Sequence, residues 1–173
     1  MDIASVIRNI PDFPKPGIQF KDITTLLLNP DALRQTVDTF AERYAADKPD
    51  VIVGIESRGF IFGSALAYVM GIPFALARKP GKLPGETIKE SFALEYGTDT
   101  VEMHVDAIPP GARVLIVDDL LATGGTVAAV ARLVERLGGT VTEAAFVVEL
   151  PLLKGREKLA PLPAFSLVSF MVE

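Results

Sequence analysis

The sequence predicts an α/β fold: a doubly wound, mainly parallel sheet flanked by helices, forming a single domain over residues 1–173. Three observations predict it. Short unbroken apolar runs at 50–55 ("DVIVGI"), 73–77 ("PFALA") and 113–117 ("RVLIV") read as strands buried on both faces. Helical patterns alternate with these runs, as right-handed crossovers require. The chain has 173 residues, 49% hydrophobic and 23% charged, enough for one sizeable core.

In chain order, residues 2–9 read as a short helix ending before Pro11. "PDFPKPGIQFKDIT" (11–24) holds three prolines and a glycine and is expected to form an irregular, stiff arm. Asn29-Pro30-Asp31 opens a helix over about 31–46, with Leu33, Val37, Phe40, Ala41 and Tyr44 at helical spacing. "GFIFGSALAYVMG" follows the first central strand and is apolar nearly all round, as a buried helix would be. "RKPGKLPGE" is rich in glycine, proline and lysine and reads as a mobile loop.

Alternation then returns around Gly97-Thr98, with Phe92, Leu94 and Tyr96 on one strand and Val101, Met103 and Val105 on the next. This predicts a hairpin, so 78–106 as a whole is a flexible loop and hairpin. Val127, Val130, Ala131, Val134 and Leu137 form one stripe of a helix ended by Gly138-Gly139. "TVTEAAFVVEL" (140–150) and "FSLVSF" (165–170) supply the last strands.

Composition excludes several functions. A net charge of -5 argues against nonspecific nucleic-acid binding. With no cysteine there is no disulfide, thiolate metal site or cysteine nucleophile, and one histidine, His104, cannot build a His-rich metal site. No apolar run approaches the ~20 residues that span a bilayer, and the N-terminus lacks the pattern of a secretory signal. The expectation is a cytoplasmic protein that binds neither nucleic acid nor membrane.

The chemistry concentrates in "RVLIVDDLLATGGT", Arg113 to Thr126. A strand feeding a helix through Ala122-Thr123-Gly124-Gly125-Thr126 presents free N–H groups at a positive helix end, with threonine hydroxyls beside them. The two glycines remove the Cβ atoms that would keep an anion off the backbone. This is a phosphate cup, distinct from the GxxxxGK[ST] and GxGxxG loops, neither of which is present. Asp118 and Asp119 cannot hold the same phosphate, but ribose hydroxyls or a divalent cation suit them. Alone, a glycine pair is often a turn and an aspartate pair a cap; together, after an apolar strand, they describe a ribose 5-phosphate site. Neighbours on a strand face opposite ways, so the strand is expected to end at or just before Asp118.

This stretch resembles the phosphoribosyl-diphosphate motif of the type I phosphoribosyltransferases. The likeness extends to the members that act on adenine, through "DFPKPGIQFKDIT" (12–24), "ESRGFIFG" (56–63), "RKPGKLPG" (78–85), "LEYG" (94–97) and "LKGREKLAP" (153–161). It implies the type I phosphoribosyltransferase fold, with an N-terminal base-binding arm at 12–24 and a hairpin lid. The implied reaction is purine salvage: adenine plus 5-phosphoribosyl 1-diphosphate gives AMP and diphosphate. Ser57 and Arg58 are then expected to hold diphosphate beside a cis Glu56–Ser57 bond, with Arg78, Lys79 and Lys82 adding charge. Arg58 and Glu95 are the expected catalytic residues, Glu95 closing over the base and moving a proton at N7. Gln19, Phe20 and Lys21 are expected to read adenine, Phe20 by stacking. Mg²⁺ is implied as a cofactor bound mainly through substrate, with no protein metal ligands, and a homodimer is implied. Nearby alternatives are a xanthine or hypoxanthine enzyme, a non-catalytic regulator that senses phosphoribosyl diphosphate, and a phospho-accepting signalling domain.

Overall fold

The computed structural model describes residues 1–94 and 96–172. After a 3-10 turn at Ile3–Val6, the elements run β1 (Arg8–Pro11), β2 (Gln19–Asp22), α1 (Thr24–Leu27), α2 (Pro30–Tyr44), β3 (Val51–Ile55), α3 (Arg58–Met70) and β4 (Phe74–Ala77). Then come β5 (Thr87–Ala93), β6 (Thr98–His104), β7 (Arg113–Leu121), α4 (Gly125–Arg136), β8 (Thr140–Glu149), α5 (Gly155–Leu159) and β9 (Ala164–Ser169).

Five strands form one parallel sheet in the order β4-β3-β7-β8-β9. The chain winds outward from β3 to β4, then returns to place β7 on the other side of β3. The winding reverses between β3 and β7, and a ligand crevice opens beyond the carboxyl ends of the strands at such a reversal.

Alternation along the strands divides the core. Val53, Ile116 and Phe146 face a cluster with Val127, Val130, Leu133 and Val134 of α4 and Met103 of the hairpin. Ile52, Leu115, Val117 and Val147 face the opposite cluster, with Phe40 of α2 and Phe62 and Leu66 of α3. Both faces are covered, so β3 is apolar and buried along its whole length.

Three expectations change. Residues 2–9 are not one helix: Asp2 caps a single turn, and Arg8–Pro11 pairs antiparallel with Gln19–Asp22. The arm is therefore a two-stranded ribbon around a tight bend rather than irregular chain. Second, Leu94 and Tyr96 do not continue the buried face of β5, since pairing stops at Ala93–Thr98 and both side chains are exposed. Third, β7 does not end before Asp118: Asp118 pairs in register with Phe146, and pairing runs on to Leu121–Glu149. The partner β3 contacts β7 only as far as Gly54–Val117. Beyond that point β7 is held on one side by β8 and is free on the side of the crevice.

Candidate active site

The half-free end of β7 explains how two adjacent aspartates reach one hollow. Asp118 and Asp119 both border a cavity of about 300 Å³, together with Glu56, Ser57, Arg58, Lys79 and Thr126. The backbone N–H of Asp119 donates to Asp118 Oδ1 at 2.8 Å, which draws the first carboxylate onto the backbone of the next residue. Asp119 is nearly buried and accepts from Arg58 Nε at 2.6 Å. Burial, and next the charge of Asp119, push the Asp118 carboxyl well above the usual carboxylate range. Gly59 keeps the approach open: a Cβ there would lie 2.9 Å from Asp118 Oδ1 and 2.9 Å from the Val117 carbonyl.

Ser57 precedes α3, and the Glu56–Ser57 peptide is cis, as the resemblance implies. Of the Arg58 guanidinium only Nε has a protein partner among the described residues, so both terminal amino groups are left for other acceptors. Partial burial works against the Arg58 charge, but Asp119, Asp118 and Asp22 outweigh it and hold the group protonated. Asp22 ends β2, so this electrostatic link ties the arm to the crevice.

Glu56, whose side chain has no role in the sequence reading, organises the basic segment. Its Oε1 accepts from Arg78 Nε at 2.8 Å and from the Lys79 N–H at 3.2 Å. Arg78 and Lys79 border a second hollow of about 240 Å³ with Phe92, Asp99, Thr100 and Thr126. Lys82 is exposed and borders neither hollow; its carbonyl accepts a long bond from Arg78. The loop is tied down: Glu102 accepts from the Gly81 N–H at 2.9 Å, and His104 Nε2 from the Gly85 N–H at 3.0 Å.

Ala122, Thr123, Gly124, Gly125 and Thr126 curve around a third, small hollow of about 90 Å³, bounded also by Asp118. Both glycines also meet close packing from behind the loop. Gly124 has φ +86°, and a Cβ there would meet the Gly155 carbonyl at 2.9 Å. A Cβ on Gly125 would meet the Phe92 ring at 3.2 Å. Asp118 and Thr126 line both the first and third hollows, and Glu56, Lys79 and Thr126 both the first and second, so the three adjoin along one crevice.

The arm residues stand apart from these linings. Gln19 accepts from Asn9 at 2.7 Å, and Lys21 donates to Asn9 at 2.9 Å and lies over the Phe170 ring. Phe20 packs edge-to-face on Phe13, with centroids 5.1 Å apart. Glu95 lies outside the described residues. No three described His, Cys, Asp or Glu side chains converge as a metal site, and no described helix is long and apolar enough to cross a membrane.

The phosphoribosyl transferase domain pattern matches residues 23–161. The chain belongs to the phosphoribosyl transferase family, among its adenine phosphoribosyltransferases. It is 60% identical to adenine phosphoribosyltransferase 1 of Triticum aestivum over 166 residues, covering 96% of this chain and 92% of that protein. The crystal structure of adenine phosphoribosyltransferase from Thermoanaerobacter pseudethanolicus superimposes with a TM-score of 0.94 at 51% identity, covering 97% of this chain and 98% of that one. The Saccharomyces cerevisiae enzyme, solved with an imino-altritol bisphosphate and adenine, gives a TM-score of 0.90 at 43% identity, covering 95% of each chain. The family pattern begins at Ile23, so the arm lies before it, yet these likenesses extend over nearly the whole chain.

Proposed function

We propose that this chain transfers the 5-phosphoribosyl group of 5-phosphoribosyl 1-diphosphate to adenine, giving AMP and diphosphate, in purine salvage. The observation that carries the reading is the pair of adjoining hollows, one lined by Arg58, Asp118 and Asp119 and the other by Asp118 and the 122–126 loop, in a chain of this family. The 122–126 loop takes the 5-phosphate on backbone N–H groups and the Thr123 and Thr126 hydroxyls. Asp118 and Asp119 accept from the ribose hydroxyls. Ser57, the free amino groups of Arg58, and Arg78, Lys79 and Lys82 hold the diphosphate, Lys82 after a movement of its exposed side chain.

The bond from ribose C1 to the diphosphate oxygen breaks with its electron pair on oxygen, and a purine nitrogen forms the new bond at C1. The proton released from the base passes to a general base; Glu95 is assigned that exchange by resemblance alone. Water would intercept the oxocarbenium-like centre, so the hairpin's place over the crevice matters. Gln19 and Lys21 read the base through their backbone groups, with Phe20 stacking. Mg²⁺ bound with the donor would supply positive charge against its phosphates, with no residue of this chain assigned as a ligand.

A homodimer in the cytoplasm completes the proposal. Tyr68 is 89% exposed on α3, with Val69 and Ile61 also exposed, an apolar set that a second copy would cover.

The test is direct. Purified protein with Mg²⁺ and 5-phosphoribosyl 1-diphosphate is offered adenine, hypoxanthine, guanine and xanthine in parallel. AMP from adenine, well ahead of the other nucleotides, is expected. Failure to form AMP overturns the proposal.

A further inference from the structure

The 122–126 loop rests on something the crevice does not show. Behind it lies α5, five residues long and entered through Lys154 in the left-handed region at φ +59°. A helix this short has no stability of its own. Yet its first residue is in backbone contact with the loop. A Cβ on Gly155 would lie 2.5 Å from the Ala122 carbonyl oxygen and 2.6 Å from Leu121 Cδ1. The reciprocal Cβ on Gly124 would lie 2.9 Å from the Gly155 carbonyl oxygen. No side chain separates the two backbones, so a shift in α5 passes directly to the loop.

One bracket of side chains fixes α5. Arg156 donates from Nε to Glu149 Oε2 and from Nη2 to Glu149 Oε1, both at 2.8 Å, and from Nη1 to the Ala164 carbonyl on β9. Ser166 Oγ donates to Glu149 Oε1 at 2.7 Å. Glu149 is only 4% exposed, a buried charge that its fork of partners must satisfy. It is also the last residue of β8 and the register partner of Leu121, from which the loop departs. None of these three residues borders the crevice.

We propose that Glu149, Arg156 and Ser166 are positioning residues for phosphoribosyl transfer: they clamp α5 as a backstop that sets the curvature of the 122–126 loop, and through it the affinity for the 5-phosphate. The inference rests on the reading of that loop as the 5-phosphate cup. A guanidinium fork is needed because it locks orientation, which the point charge of lysine does not.

The test uses the full-length protein and Arg156→Lys, Glu149→Gln and Phe40→Leu, the last a core change in α2 that controls for lost stability alone. Ribose 5-phosphate binding is measured by calorimetry, and KM for each substrate with kcat, well below every melting temperature. Expected for the two bracket variants is a rise of roughly tenfold or more in the ribose 5-phosphate Kd and in KM for 5-phosphoribosyl 1-diphosphate. In the same variants KM for adenine and kcat should stay within about twofold, and Arg156→Lys should keep part of the affinity. Phe40→Leu should lower the melting temperature and leave the ribose 5-phosphate Kd unchanged. Unchanged ribose 5-phosphate affinity in both bracket variants overturns the proposal, as does an equal loss in Phe40→Leu. If the parent protein itself fails to bind ribose 5-phosphate, it is the reading of the loop that falls, and the bracket's role with it.

Discussion

Gly124 and Gly125 are neighbours in one motif, and the structure gives them different reasons to be glycine. Gly124 sits at φ +86° with the Gly155 carbonyl oxygen 2.9 Å from where a Cβ would stand. In Gly124→Ala the left-handed conformation costs roughly 1–2 kcal/mol. Crowding a backbone oxygen that α5 and its bracket hold in place adds about 1–3 kcal/mol. The sum, about 2–5 kcal/mol, is a large part of the ~5–15 kcal/mol that keeps a domain folded. It corresponds to a fall in melting temperature of roughly 5–15 °C for a chain of this size.

Gly125 opens α4, and a Cβ there meets only the edge of the Phe92 ring at 3.2 Å. The ring can give by a few tenths of an ångström, and alanine gains up to about 1 kcal/mol of helix propensity. Gly125→Ala is therefore expected to melt within a few degrees of the parent. Circular dichroism melts of the two variants side by side provide the assay. Equal destabilisation by both, or a Gly124→Ala protein as stable as the parent, refutes the reasoning.

Other consequences follow from the charges. Because burial and Asp119 raise the Asp118 pKa in the fold, its ionised form is penalised there and stability is lost as pH rises through the folded value. Asp118→Asn should thus stabilise the protein at pH 8 by about 1 kcal/mol in urea titrations, while AMP formation falls. Glu149, and Glu143 on β8, which accepts from Arg43 and the Tyr44 hydroxyl, behave oppositely. Burial raises each, but arginine and hydroxyl hydrogen bonds outweigh it and hold both below the ordinary 4.5. Their contribution is present above pH 4.5 and lost as pH falls through the lower folded values, so acid unfolding monitored by tyrosine fluorescence should begin below 4.5. Glu90 holds Arg132 and Arg136 of α4, both about half exposed, so Glu90→Ala should cost no more than about 1 kcal/mol. Its effect should appear instead as faster proteolytic cleavage of the hairpin.

The parallel strands were legible because burial on both faces leaves an apolar run that few other structures produce. Residues 8–11 were not, since their strand exists only through pairing with 19–22, which sequence periodicity does not register. The end of β7 departs from the sequence pattern for a related reason. Two aspartates break the apolar pattern, but β8 continues beside them to Glu149, so pairing outlasts hydrophobicity. Within the site, Arg58, the aspartates and the loop come together as their motifs suggest, whereas Lys82 stands outside the hollows. Glu149 carried the same signal as the aspartates, a charge closing an apolar run in "AAFVVEL". What sequence could not supply was its partners, seven and seventeen residues on, which only the folding of α5 and β9 brings back.

These three carboxylate positions share one design. Near the carboxyl end of each of the three central strands β3, β7 and β8 stands an acid that holds an arginine from another segment: Glu56 with Arg78, Asp119 with Arg58, Glu149 with Arg156. In every pair the carboxylate is the more buried member, with side-chain exposures of 16%, 8% and 5% against 30%, 49% and 49% for the arginines. The acid is therefore the fixed anchor and the guanidinium the presented group. A long cationic side chain left free in water loses rotamer entropy when it binds an anion; one already held through Nε has lost much of it in folding. Asp119 and Glu56 thus hold two guanidinium groups in place beside the crevice in a protein of charge -5. Glu149 applies the same device one strand further on, where the arginine faces protein and the rigidity it creates is spent on the shape of a backbone loop.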